Sequence, residues 1–271
     1  MLSQPLCQLS VGVHSEQGQR DRNEDHHCIS IDDKYLLFGD LRRVSFFAIF
    51  DGHGGSAVSL YLKTLLLNTF RNLIAKLCVE DSILDIDSFI SNEFPTLEYE
   101  IIKSRIQSIR QKESVVENLI HLAFIRADIL LKDKYMSYAI GSTAVVAILC
   151  DNTLYVSNIG DSEAIISEQS GNEIIIDRLS VLHNVTNEAE KSRIVYMGGK
   201  VFFGRVFGRL MTTRSFGDFE YKIPREKKDY INVEPHITAL DLDKTHRYMI
   251  LSCDGLWERL SYKEGIEYVQ N

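Results

Sequence analysis

Three segments of this sequence end an apolar run with an aspartate beside a glycine. Phe46-Phe47-Ala48-Ile49-Phe50 runs into Asp51-Gly52-His53-Gly54-Gly55. Leu154-Tyr155-Val156-Ser157-Asn158-Ile159 runs into Gly160-Asp161-Ser162, and Tyr248-Met249-Ile250-Leu251-Ser252-Cys253 into Asp254-Gly255-Leu256-Trp257. A buried strand delivers the next side chain to a sheet edge with little freedom. The adjacent glycine lets the backbone turn sharply and lets other groups approach closely. Three carboxylates presented this way suit a hard cation, which takes oxygen ligands. One Asp-Gly alone is ordinarily a plain turn, but the His53-Gly54-Gly55 tail sets the first segment apart. A further segment, Arg20-Asp21-Arg22-Asn23-Glu24-Asp25, puts an acidic pair near an arginine. Carboxylates orient metal-bound water and a guanidinium forks onto phosphate oxygens; in isolation the same residues read as a solvated charged turn.

The elements that must position these residues follow from periodicity. Residues 8–14 and 26–31 read as short strands, 32–43 as a loop or hairpin tip, and 44–50 as a strand. Val58, Leu62, Leu66, Phe70, Leu73 and Leu77 recur at helical spacing, so a helix follows Gly55 with one face on the core. Residues 79–113 carry weaker signals and read as irregular surface structure with some helix. Ser114-Val115-Val116-Glu117 reads as a capping box opening a helix whose stripe is Val116, Leu119, Ile120, Ala123, Phe124, Ala127, Leu130 and Leu131. Ser142–Cys150 and Thr153–Ile159 read as strands joined at Asp151-Asn152, and 164–168 continues the meander. A short helix near 187–196 ends before Gly198-Gly199. Two long helices separated by β-rich stretches fit antiparallel sheets with helices packed outside, an α+β fold. No internal repeat or proline-rich linker divides the chain, so residues 1–271 read as a single domain.

Composition narrows the function classes. The chain is 45% hydrophobic and 25% charged, normal for a protein that buries a sizeable core. A net charge of −8 disfavours a general nucleic-acid surface; Gly204-Arg205-Val206-Phe207-Gly208-Arg209 is the one basic-aromatic run, and a surface loop explains it more simply. The five cysteines, Cys7, Cys28, Cys78, Cys150 and Cys253, are widely spaced without a CxxC, which favours free thiols in a reducing compartment. No apolar run reaches the ~18 residues that span a membrane, and the N-terminus has no signal-peptide pattern. A soluble intracellular protein, cytoplasmic or nuclear and without membrane contact, is the expectation.

Taken in order, the segments resemble the protein phosphatase 2C family of metal-dependent protein phosphatases. The resemblance rests on Arg20…Glu24-Asp25, Phe50-Asp51-Gly52-His53-Gly54-Gly55, Gly141-Ser142-Thr143-Ala144, Asn158-Ile159-Gly160-Asp161-Ser162 and Glu190…Arg193-Ile194…Gly198-Gly199. It continues through Thr213-Arg214-Ser215-Phe216-Gly217-Asp218, Glu234-Pro235 and Ser252-Cys253-Asp254-Gly255-Leu256-Trp257. It implies a four-layer α-β-β-α sandwich of two antiparallel sheets flanked by helices, with a two-metal Mg²⁺/Mn²⁺ centre at one end. It implies hydrolysis of phosphoserine and phosphothreonine in phosphorylated protein substrates, without a covalent intermediate. Asp51 would bridge two metals, and the Gly52 carbonyl and waters held by Glu24 and Asp25 would complete one shell. Asp254 would ligate the other metal, and Asp161 with Asp254 a third, weaker one. Arg20 would bind the substrate phosphate and His53 would protonate the leaving alkoxide.

The match departs from the family pattern in places. The family's further aspartate, in a Ser-x-Asp-Asn setting near its C-terminus, has no counterpart here, and the Ser261-Tyr262-Lys263-Glu264 capping box opens a helix at the chain's end. The chain thus reads as truncated at its C-terminal end. Glu163 stands where the family usually has arginine, which reverses a charge beside Asp161. Cys253 reads as a small buried residue, or else as an oxidation-sensitive neighbour of Asp254. These departures leave two alternatives to an active phosphatase: a pseudophosphatase acting as a binding or scaffold protein, and a metal-dependent hydrolase of another phosphoester.

Overall fold

A computed structural model describes residues 9–79, 85–95, 98–135, 139–222 and 229–270. The first strands are β1 (His26–Leu37), β2 (Asp40–Phe50) and β3 (Gly52–His53). Helices α1 (Ala57–Ile74), α2 (Ile86–Glu93), α3 (Tyr99–Arg110) and α4 (Val115–Tyr135) follow. Then come β4 (Gly141–Ser142), β5 (Ala144–Cys150), β6 (Thr153–Ile159), β7 (Glu163–Ser170) and β8 (Glu173–Arg178). Helix α5 (Glu188–Tyr196) precedes β9 (Val201–Phe202), β10 (Arg205–Val206) and β11 (Phe216–Gly217). The last elements are β12 (His236–Asp241), β13 (His246–Ser252), α6 (Asp254–Trp257) and α7 (Tyr262–Gln270).

Two antiparallel sheets face each other. The larger has the order β1-β2-β5-β6-β12 and the smaller β13-β7-β8. Strand β5 shows why its sequence is uniformly apolar. Ala144, Val146 and Ile148 face the helices, while Val145 and Ala147 face the second sheet with Ala164, Ile166, Met249 and Leu251. A strand covered on both faces loses the polar half of its alternation. On the helical side, Leu62, Leu66 and Phe70 of α1 pack with Leu119, Ile120 and Phe124 of α4. Each such side chain contributes ~1.5–3 kcal/mol when fully buried. A third, smaller cluster joins Ile194, Val206, Tyr221 and Ile231 around α5 and the β9–β10 hairpin. The α+β sandwich expected from the sequence is the observed fold. Among the described residues no helix is long and apolar enough to cross a membrane.

Several local readings are corrected. Residues 9–14 form no strand and are mostly exposed, because Val11 and Val13 find no sheet to join; residue 8 lies outside the described residues. Of the two readings of residues 32–43, the hairpin tip holds and the loop does not. β1 runs on to Leu37 and pairs with β2 through Leu37↔Asp40, with a bulge between Ser30 and Asp33 that disguises the alternation. Residues 98–110 are more ordered than expected, since Ile102, Ile106 and Ile109 form a buried stripe on α3. Ser114 sits at φ 41°, not in the extended geometry of a capping box. The Ser261–Glu264 box does form: the Ser261 N–H donates to Glu264 Oε2 at 2.8 Å and the Glu264 N–H to Ser261 Oγ at 3.3 Å.

Candidate active site

Strand register alone gathers the carboxylates. β1 pairs with β2 through His26↔Phe50, so Asp25, just before β1, and Asp51, just after β2, leave the same end of that hairpin. Ala144↔Ile159 sets the end of β6, from which Gly160 leads to Asp161. Glu163↔Ser252 places the start of β7 opposite the end of β13, where Asp254 follows. Gly52 is required by crowding: a Cβ there would stand 2.6 Å from both the Glu24 carbonyl oxygen and Ser59 Oγ. The close approach expected of this glycine is therefore made by the chain itself, which holds the 24–25 segment against Asp51.

The electrostatics of this cluster are those of like charges out of water. Burial, then the charges of Asp25, Asp254 and Asp161, push the Asp51 carboxyl up to about 8. Burial and Asp254 push Asp161 up to about 6, with His53 opposing. Asp254 is also raised, by burial and Glu258 first, while Arg20 pulls it down. Arg20 is thus the cation whose field reaches Asp254. Glu24 contributes its carbonyl to Ser59 Oγ–H at 2.5 Å and its charge to the field at His53.

The tightest group of potential ligand atoms is Asp25, Asp51 and Cys253, all within 4.8 Å of one another. Asp254, Asp161 and Glu24 stand outside that group. Cys253 is more than a buried spacer. Its Sγ–H donates to Asp25 Oδ2 at 3.2 Å, and burial with the Asp25 charge pushes the thiol up to about 12. A thiol held protonated is a poor nucleophile, which speaks against oxidation sensitivity. Half-buried, mutually repelling oxygen donors with exposed Arg20 nearby form a donor set that suits a hard divalent cation.

His53 has a partner that the sequence reading did not assign. β3, β4 and β11 form a small sheet in which His53 and Gly217 both pair with Gly141. His53 Nε2 lies 2.7 Å from Asp218 Oδ2, and that oxygen accepts from Ser215 Oγ–H at 2.5 Å. Burial would lower the His53 pKa; the hydrogen bond and charge of Asp218 outweigh it and hold the imidazole above its ordinary value. Gly141 makes the pair possible, because a Cβ there would fall on Asp218 Oδ2 and 2.5 Å from His53 Nε2. Asp218 is buried with φ 50°. A left-handed non-glycine residue is a strained position of the kind that clusters at functional sites. The missed signal was in plain view, since Gly217-Asp218 repeats the Gly-Asp pattern of Gly160-Asp161.

Two further acidic residues, Glu190 of the shared motifs and the divergent Glu163, tie neighbouring segments together. Buried Glu190 accepts from Arg193 at 3.0 Å, Thr213 Oγ1–H at 2.8 Å and both Nε and Nη2 of Arg214, at 3.1 and 2.6 Å. Glu163, the charge reversal, accepts from Tyr262 Oη–H at 2.6 Å and from Arg178 at 3.3 Å.

The protein phosphatase 2C family model matches residues 85–271. The chain belongs to the protein phosphatase 2C family. It is 32% identical over 275 residues to Protein spalten of Dictyostelium discoideum, covering 97% of this chain and 24% of that protein. It is 32% identical over 273 residues to Protein phosphatase 2C homolog 2 of Schizosaccharomyces pombe, covering 97% and 62%. The chain therefore spans less than two thirds of the length of these curated relatives. The solved serine-threonine phosphatase 2C of Toxoplasma gondii superposes with a TM-score of 0.61 at 18% identity, over 90% of this chain and 81% of that one, a likeness of fold. Protein phosphatase 2C membership implies divalent-metal dependence, and Asp25, Asp51 and Cys253 are grouped closely enough to hold an ion. Protein phosphatases act on phosphorylated proteins.

Proposed function

We propose that this chain is a Mg²⁺- or Mn²⁺-dependent protein phosphatase that hydrolyses phosphoserine and phosphothreonine with water as the nucleophile. The observation that carries the reading is half-buried Asp51, which leaves the same end of the β1–β2 hairpin as Asp25, lies with Asp25 and Cys253 in one close group of ligand atoms, and is held up by burial and by the charges of Asp25, Asp254 and Asp161. Asp51, Asp25 and Asp254, with the Gly52 carbonyl and Glu24, would hold two ions, and Asp161 with Asp254 a third. Bound there, the ions supply a strongly acidified water and neutralise phosphate charge. The remaining work belongs to the chain. Arg20 is the group offered to the substrate phosphate. His53 donates a proton to the departing serine or threonine oxygen, and Asp218 keeps its imidazole charged and oriented. A single-domain arrangement for residues 1–271 accords with the two main clusters sharing β2 and β5.

A catalytically impaired scaffold is the second reading. It is favoured by Glu163, whose negative charge acts on Asp161 in place of a positive one. Hydrolysis of a phosphothreonine peptide across a Mn²⁺ and Mg²⁺ titration separates the two. Wild type and Asp51→Ala are compared after circular dichroism shows both folded. Activity that needs metal and vanishes in Asp51→Ala supports the phosphatase. A folded wild type that is inert at every metal concentration leaves the scaffold.

A further inference from the structure

Between Glu190 and Asp218 the sequence carries Lys191, Arg193, Lys200, Arg205, Arg209 and Arg214 and no acidic residue, in a chain of net charge −8. Glu190 compensates Arg193 and Arg214, and Lys191 pairs with Glu188. Lys200, Arg205 and Arg209 are exposed and form no ion pair among the described residues. Arg205 Nη1–H donates instead to the Arg209 carbonyl at 2.8 Å, which fixes its side chain without cancelling its charge.

The same unit exposes aromatic side chains. Tyr196 at the end of α5 is 89% exposed, and Phe203 at the tip of the β9–β10 hairpin is 92% exposed. Phe202 packs over Gly208 and meets Phe203 edge-on, with ring centroids 5.8 Å apart. The hairpin's structural need is already met by Val206, which fills the local core with Ile194. An aromatic ring left in water forgoes stabilisation that a partner would restore.

The unit is tied to the catalytic end twice. Before α5, the His183 N–H donates to the Gly160 carbonyl at 2.9 Å, one residue from Asp161. After β10, the chain reaches Ser215 and Asp218, which hold His53. Both ends of the unit are thereby anchored at the candidate active site, one beside Asp161 and the other at Asp218. We propose that α5 and the β9–β10 hairpin dock the part of a protein substrate that flanks its phosphorylated residue, and that this part is acidic with a large apolar side chain. The proposal rests on the phosphatase reading above. Charge complementarity chooses the occupant: acidic chain is repelled by the carboxylate cluster and the net charge elsewhere, whereas Lys200, Arg205 and Arg209 attract it.

The test uses two phosphothreonine peptides of equal length, one flanked by Glu and Phe and one by Lys and Phe, with p-nitrophenyl phosphate as a substrate without flanks. Wild type is expected to favour the acidic peptide by about tenfold in kcat/KM, as two or three exposed charge pairs allow. Arg205→Glu/Arg209→Glu should bring that ratio to one or below, and Phe203→Ala should raise KM for both peptides. Turnover of p-nitrophenyl phosphate should be unchanged in all variants. Fluorescence anisotropy of the unphosphorylated acidic peptide reads the surface independently of turnover, so an inert enzyme would sink the phosphatase reading and still leave this face tested. Equal preference in wild type, or acidic-peptide binding untouched by the charge reversals, overturns the proposal. So does a variant that loses binding only to phosphatidylserine vesicles, which would make this a membrane face.

Discussion

Lys222 Nζ lies 2.9 Å from Asp128 Oδ2, both side chains nearly sealed from water, and the same ammonium donates to the Ser215 carbonyl at 2.7 Å. Asp128 Oδ1 also accepts the Gly217 N–H at 2.9 Å. Helix α4 thereby grips β11, the short strand that leads into Asp218. Lys222→Met leaves a carboxylate buried without its partner and should cost about 3–5 kcal/mol in urea unfolding. The double change Asp128→Asn/Lys222→Met should cost less than the single one. A loss under about 1 kcal/mol for Lys222→Met would mean that the pair holds nothing.

Gly141 stands between His53 and Asp218 in the small sheet, and its missing side chain is the space in which they meet. Gly141→Ala should separate them and lower phosphopeptide turnover about 10²-fold, the lower range for losing a general acid. Circular dichroism should be close to wild type, since only the short ladder is disturbed. Full activity in the alanine variant would show that the His53–Asp218 bond is dispensable.

Asp218 holds the His53 pKa up, so the protonated imidazole survives to higher pH. Asp218→Asn removes that charge, and the alkaline limb of kcat should move to lower pH. The loss should be larger for a phosphothreonine peptide than for p-nitrophenyl phosphate, whose leaving group needs little protonation. An unmoved limb would assign the general-acid role elsewhere.

How far the sequence could be read depended on which physical signal a residue leaves in it. Asp51, Asp161 and Asp254 were legible because a long apolar strand points to each. Gly52, Gly54 and Gly55 were legible because close approach and tight turning demand glycine. Asp218 was not, because β11 is only Phe216–Gly217 and leaves no strand pattern to flag its end. Asp128 was hidden inside the apolar stripe of α4, where a buried charge is recognisable only through a partner 94 residues away. The full length of the β1–β2 hairpin was not legible because a bulge at Ser30/Asp33, with Asp32 at φ 56°, breaks the alternation on which strand reading depends. Cys253 was underrated because nothing local connects it to Asp25, 228 residues before it.

Acid should unfold this protein in two separable ways. Burial, then the charge of Arg214, push buried His183 down to about 3 from an ordinary 6.5. The unfolded chain takes up that proton first, so this contribution is whole above about 6.5 and lost as pH falls toward 3. Between pH 6.5 and 5 the loss should be about 2 kcal/mol, and His183→Gln should flatten that part of the curve. Against the desolvation that raises it, Arg214 and Arg193 bring Glu190 down to about 2 from 4.5. Its contribution is present above about 4.5 and lost as pH falls through 2. Glu190→Gln should cost about 3 kcal/mol at pH 7, by stranding two arginines. Urea midpoints measured from pH 7 down to about 2 would check both; a wild-type stability flat between 6.5 and 5 would contradict the His183 assignment.

Asp51 gives the carboxylate cluster of Asp25, Asp161 and Asp254 a metal-linked proton. With no cation bound, burial and three neighbouring carboxylates hold its pKa at about 8, so near pH 7 the group is largely protonated. A divalent cation favours the carboxylate, so binding must expel that proton. Calorimetric titration of Mn²⁺ into the EDTA-treated protein should therefore release about one proton at pH 7, read from buffers of different ionisation enthalpy, and affinity should rise with pH up to about 8. Asp51→Asn removes the repulsion along with the ligand. It should raise the melting temperature of the metal-free protein while abolishing the upward shift that Mn²⁺ gives wild type. A variant less stable than wild type without metal, or binding without proton release, would mean that Asp51 is not the strained centre of this cluster.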